Sequence, residues 1–238
     1  KALRTTQSFA ATVELAEAFN RWNKPDSAFK YLEQVPRDAS NMPPQLMAKA
    51  WIAIAHQHAL KGEESPAWES VEFALEYAKS DSTSPQQWIG EIQTLLAKFM
   101  VADRRSYETL DACQNALITL VPTFEDTLTA LNPVKALWNS EIAVFELLIY
   151  KSRAFEEIGL YEQALRCSEN AFDYLDHLRE QGWAAPVNYF ADNDLHLTYE
   201  FAISLALKHA AQTRAATDYE RVFNLMERCK TNEILRSM

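Results

Sequence analysis

The chain has 238 residues with 33 acidic and 23 basic side chains, a formal charge of -10, so a general electrostatic attraction to nucleic acid or anionic lipid is disfavoured. A composition 48% hydrophobic and 24% charged is that of a folded chain and excludes a disordered tail. Its four glycines, Gly62, Gly90, Gly159 and Gly182, are each isolated, which leaves no room for glycine-rich phosphate loops or a G-x-S-x-G elbow and favours helix over sheet.

Along the chain, apolar residues recur at three- and four-residue spacings and prolines sit in or beside polar breaks, the pattern of helices joined by short loops. The pattern predicts helices over 5–22, 25–35, 43–61, 64–79, 84–102 and 104–120. After a short piece around 123–131 it predicts 133–158, 161–181, 192–211 and 214–236, and no stretch alternates as a strand. The N-terminal KALRTTQSFAATVELAEAF is polar where a signal peptide would be apolar, and the richest apolar run, Ile142 to Tyr150, is interrupted by Glu146. Neither secretion nor a membrane span is expected. Cys113, Cys167 and Cys229 are odd in number with no C-x-x-C, which reads as reduced thiols and a cytoplasmic location. A first residue other than Met and a helical pattern running into the final EILRSM fit a piece of a longer protein.

Two windows align: WIAIAHQHALKGEESPAWESVEFALEYA at 51–78, and LLIYKSRAFEEIGLYEQALRCSENAFDYL starting at 148. Gly62, Ala67 and Ala74 in the first repeat the spacing of Gly159, Ala164 and Ala171 in the second, and Ala16, Phe19, Ala28, Leu32 and Val35 follow the same offsets before Pro36. Small residues at these sites let antiparallel helices approach, and large ones fill the space between pairs. The pattern resembles tetratricopeptide (TPR) repeats. It is weakest at 93–122, where Thr109 stands at the small-residue site and Cys113 and Ala116 follow. Anchors at 28, 67, 109 and 164 lie 39, 42 and 55 residues apart, above the usual ~34. The resemblance implies an all-α, TPR-like helical-hairpin solenoid with long, irregular repeats. It is read as a single domain over 1–238 with units near 5–36, 43–79, 84–122, 133–181 and 192–238, and an insertion near 121–137.

The last stretch, YERVFNLMERCKTNEILRSM, resembles the final repeat of proteins in which such repeats precede a CHAT domain, a caspase-like peptidase. Val222, Phe223, Leu225, Glu227, Arg228, Lys230 and Leu235 fall on A-F-E-L-x-E-R-x-K-A-R-x-L-x-x-L, whereas Thr231 and Asn232 replace its small residue and arginine. The resemblance implies a regulatory arm that binds a controlling protein partner and restrains or releases a protease. The family's His-Gly pair is absent from this chain, so the peptidase is expected beyond Met238. A sensor arm of a transcription regulator or signalling ATPase is the alternative, and an all-helical enzyme is a third reading.

No catalytic, cofactor or metal site is expected. His56 and His58 are two residues apart on one helix and diverge, unlike the i, i+4 pair of a zinc helix. Cys113 and Cys167 fall on faces that should be buried. Protein or peptide binding is expected instead, on a groove lined by the first helix of each pair. Counting from the anchors, that face takes Glu17 and Asn20, then Lys49, Ile52 and His56, then Thr94 and Lys98, then Glu146, Ile149 and Arg153. The aromatic loop 179–194, with Trp183, Tyr189 and Phe190, is a second candidate patch.

Overall fold

A computed structural model describes residues 2–33, 42–121, 123–139, 141–182 and 194–237. The chain forms two compact units, Lys1–Glu125 and Asp126–Met238. Among the described residues of the first are α1 (Ala2–Arg21), α2 (Pro25–Leu32), α3 (Pro44–Leu60), α4 (Glu64–Ser80), α5 (Gln86–Ala102) and α6 (Ser106–Leu120). The second holds a 3-10 turn at Lys135–Leu137, then α7 (Ile142–Glu157), α8 (Tyr161–Glu180), α9 (Asp194–Thr213) and α10 (Ala216–Ser237). No strand occurs among the described residues.

Helix starts follow proline chemistry. Pro25 and Pro44 occupy first-turn positions, and Pro85 immediately precedes α5, where a missing N–H costs nothing and φ is already helical. The helices then pair. α1 packs on α2, α3 on α4, α5 on α6, α7 on α8 and α9 on α10.

The turns inside four of these pairs are copies of one another. A residue at positive φ stands two places after the first helix and two before the second: Asn23, Gly62, Arg104 and Gly159. At each, the next residue's N–H reaches back five residues, from Lys24 to Phe19, Glu63 to His58, Arg105 to Met100 and Leu160 to Phe155, at 2.9–3.0 Å. This is the Schellman closure, which satisfies the carbonyls orphaned at a helix C-terminus. Five residues past each turn lie Ala28, Ala67, Thr109 and Ala164, all 0% exposed. The fifth pair is one residue tighter: Arg214 carries the positive φ directly after Thr213, and the buried stripe on α10 is Asp218, Val222, Leu225 and Cys229.

In unit 1, Phe9, Val13, Ala16, Ala28, Leu32, Met47, Ala50 and Ala53 form one core cluster, with alanine wherever two helix backbones meet. α5 and α6 come close enough that a Cβ on Gly90 would collide with the Leu120 side chain. That gives Gly90, which breaks a helix by propensity, a packing reason for its place.

The helical pattern across 133–141 is not realised as an α-helix. Pro133 cannot continue a helical hydrogen-bond ladder, and its carbonyl accepts the Trp138 indole N–H at 2.9 Å. The segment instead packs on α7 and α8. Lys151, 0% exposed, donates to the Leu131 carbonyl at 2.8 Å and to Asn132 Oδ1 at 2.9 Å. The buried Tyr174 hydroxyl lies within hydrogen-bond reach of the Asn139 and Glu141 carbonyls, both at 2.9 Å. Burial holds that phenol well above the usual tyrosine range. The short piece sought at 123–131 is likewise turn and irregular chain.

Candidate protein-binding surfaces

Seven residues of the expected groove, Thr94 among them, belong to unit 1. Glu17 and Asn20 lie on α1, Lys49, Ile52 and His56 on α3, and Lys98 on α5. α1 packs directly on α3, and α3 touches α5 where the His56 ring meets Phe99 edge-on with centroids 6.2 Å apart. Lys49 and Lys98 are exposed, and Ile52 and His56 are half-buried. Asn20 is buried, its amide donating to the Ala53 carbonyl at 2.7 Å and its Oδ1 meeting no donor. Asn20 therefore joins α1 to α3. Thr94, counted to the same face, is buried too and donates to the Gly90 carbonyl at 2.8 Å.

The electrostatics of this surface are coupled. Burial raises the Glu17 carboxyl above its usual range, while Arg21 and Lys49 pull it back down. Burial first, and then the neighbouring Lys98 ammonium, lowers His56 below the ordinary imidazole value. At neutral pH His56 is thus a neutral half-buried ring beside the exposed Lys98.

A second concavity in unit 1, of about 1030 Å³, opens between α2, α3 and α4. Its α3 wall uses Trp51, Ile54 and His58, each two residues on from Lys49, Ile52 and His56. That step turns about 200° around the helix, to its other side. Phe29, Trp51, Phe73 and Tyr77 supply aromatic surface. The Trp51 and Phe73 rings lie 4.8 Å apart, yet Phe73 keeps 47% of its surface exposed. The Trp51 indole N–H is buried with no acceptor. Glu33, Glu69 and Glu76 stand among the lining residues, and no lysine or arginine does among those described. His58 is engaged by Glu63, Nδ1 to Oε2 at 2.6 Å. The sequence pattern singled out neither Trp51 nor Phe73 for binding; the available signal was Phe73 beside the buried anchor Ala74, where a ring must lean out of the core.

In unit 2, Arg153 is exposed on α7 with its guanidinium 5.3 Å from the centre of the Phe201 ring, a cation-π contact. Glu146 is half-buried, and Ile149 turns into the core at 5% exposure, which corrects its placement on an open face. α10 is tied to α8 by ion pairs. Arg221 meets Glu162 and Glu169 at 2.8 Å, and Arg228 meets Asp173 and Asp176 at 2.8 and 2.7 Å. Burial alone would raise Glu162, but hydrogen bonds from Arg221 and Arg166 outweigh it and hold the carboxyl low. Cys113, Cys167 and Cys229 are all buried and in no disulfide, and burial pushes the Cys167 thiol upward, away from nucleophilic use. Trp183, Tyr189 and Phe190 lie outside the described residues. Among the described residues no helix is long and apolar enough to cross a membrane.

This arrangement of helical hairpins, repeated on a common turn, is the TPR-like repeat class of fold. No family model matches the chain, and no curated protein matches it in sequence. Two solved structures share the fold. BtubC (BKLC) from P. vanneervenii superimposes with a TM-score of 0.66 at 16% identity, covering 99% of this chain and 87% of its own. A putative kinesin light chain from Podospora anserina, with nearly identical TPR-like repeats, gives 0.56 at 14% identity, covering 92% and 94%.

Proposed function

We propose that this chain is a protein–protein interaction scaffold that takes a peptide or helix of a protein partner on the α1–α3–α5 surface. The observation that carries the reading is the packing of α1 on α3, with the His56 ring of α3 meeting Phe99 of α5. It leaves Lys49 and Lys98 exposed around half-buried Ile52 and His56. Apolar contact supplies affinity there and the cations supply selectivity. Arg153 extends the same logic to unit 2. The chain works in the cytoplasm, in keeping with its odd cysteine count, and holds no cofactor.

The finer assignment is the regulatory arm of a CHAT-type, caspase-like protease, supported by the pattern Val222 to Leu235. On α10, Val222 and Leu225 are buried, Arg228 is paired to α8, and Glu227 and Lys230 are exposed. In that role the chain is a controlling element and the nucleophile belongs to sequence after Met238. Peptide mass spectrometry of the native protein tests it: a strand with His-Gly and a later reactive cysteine beyond Met238 is expected, and a helix-turn-helix or other domain there contradicts it.

The scaffold reading is tested by photo-crosslinking in the native cell. A photoreactive residue in place of Lys98 should capture a discrete protein, while one in place of exposed Glu220 on α10 should not. Identical patterns from both positions would contradict the α1–α3–α5 site.

A further inference from the structure

The groove between α2, α3 and α4 is a separate feature from the surface assigned above, since it uses the other side of α3. At about 1030 Å³ it reaches the upper end of small-molecule pockets and is long enough for several side chains of a peptide. Two features define what would fill it. The floor is aromatic, with Phe29 and Phe73 left 40% and 47% exposed, the kind of anchor site that dominates protein interfaces. The charged lining residues are all carboxylates, Glu33, Glu69 and Glu76, while Lys61 lies at the Phe29 end, its ammonium 5.0 Å from the centre of that ring. Glu69 and Glu76 are two helical turns apart on α4 with Glu72 between them. Burial pushes the Glu72 carboxyl up, Arg105 opposes it, and Glu69 and Glu76 add to the rise. Like charges stacked on one helix face cost stability, and an incoming cation relieves that cost.

We propose that the α2–α3–α4 groove docks a partner segment that interleaves bulky apolar side chains with lysine or arginine. The apolar side chains seat against Trp51, Ile54 and Phe73, and the cations meet Glu69 and Glu76. Electrostatics argue against a second copy of this chain as the occupant, because that copy carries a net charge of -10. The inference goes beyond the α1–α3–α5 reading, and the two fail separately.

The test is fluorescence anisotropy of three labelled peptides against the whole chain: one of Leu, Trp and Lys, one of Leu, Trp and Glu, and one of Lys, Gly and Ser. The first should bind, and the other two should bind at least about tenfold more weakly. Glu69→Gln with Glu76→Gln should weaken the first peptide about tenfold and flatten its salt dependence. Phe73→Ser, a change at a half-exposed ring, should weaken it about tenfold with an unchanged circular-dichroism melt. Lys49→Ala with Lys98→Ala should leave it unchanged. No binding of the first peptide, equal binding of the acidic one, or indifference to both groove variants overturns the proposal. So does loss of binding only in the Lys49 and Lys98 variant, which moves the peptide to the other surface. A dimer in sedimentation that dissociates on Phe73→Ser gives the groove to a second copy and overturns it as well.

Discussion

Thr109 occupies the place that alanine holds in Ala28, Ala67 and Ala164, fully buried five residues past the turn, and its hydroxyl has no hydrogen-bond partner. A buried, unsatisfied hydroxyl costs stability that an isosteric methyl does not. Thr109→Val should therefore stabilise the chain by about 1 kcal/mol, read as a raised urea midpoint; a lowered midpoint would show that the hydroxyl is satisfied. Lys151 is the opposite case, a fully buried ammonium bonded to Leu131 and Asn132. Lys151→Met strands both acceptors and should cost about 2–3 kcal/mol, and an unchanged melting temperature would contradict its anchoring role. His56 links stability to pH. Its folded pKa lies below the ordinary 6.5, so the unfolded chain binds more protons between those values, and stability present above pH 6.5 is lost as pH falls through that window. Glu17, raised by burial, works in the opposite sense, so the comparison that isolates His56 is a variant. The drop in melting temperature between about pH 7 and about pH 5 should be smaller in His56→Gln than in the parent, and an equal drop would contradict the linkage. At this scale the sequence was legible where a residue repeats a periodic role, as with the alanine anchors, and illegible where its partner lies far along the chain. Asn20 could be placed on a face by counting, but its bond to Ala53, 33 residues away, could not.

The helical hairpin with its left-handed turn is the element that the chain repeats. Gly62 and Gly159 were visible as turn residues, and the structure adds that Asn23 and Arg104 do the same work at φ 54° and 57°. Glycine takes that conformation without strain, whereas a side chain with a Cβ pays about 1 kcal/mol. Arg104→Gly should raise stability by about 0.5 kcal/mol after glycine's greater freedom in the unfolded chain is subtracted. A denaturant titration that shows a loss would mean that Arg104 makes a contact worth more than its strain. Helix positions were legible because apolar periodicity is local, and most expected boundaries fall within a few residues of those found. The exception, 133–141, carries helical periodicity, but its carbonyls are claimed by side chains: Trp138 takes that of Pro133, and Tyr174 of α8 reaches those of Asn139 and Glu141. Periodicity cannot report that competition, because Tyr174 lies on a later helix.

For the whole molecule, the TPR-like class was legible as a resemblance in the pattern of glycine, small and aromatic residues, despite repeats longer than usual, and the two solved structures share that fold at 14–16% identity. Which surface binds was less legible. A counted face separates inward from outward positions within each helix, but a groove between α2, α3 and α4 depends on how three helices are spaced. Both surfaces of unit 1 use α3: it presents Lys49 on one side and Trp51, in the groove that Glu69 and Glu76 also line, on the other. The chain's net charge of -10 makes binding at the acidic groove the more sensitive of the two to salt.

The central claim, a scaffold that recognises protein segments, is tested most directly by panning a displayed peptide library on the purified whole chain, the Lys49→Ala Lys98→Ala variant and the Glu69→Gln Glu76→Gln variant in parallel. The account predicts that the parent chain enriches defined sequence families, that at least one is lost in the lysine variant, and that families rich in Lys or Arg beside apolar residues are lost in the glutamate variant. Enrichment of no sequence family, or of the same families by all three proteins, would contradict it.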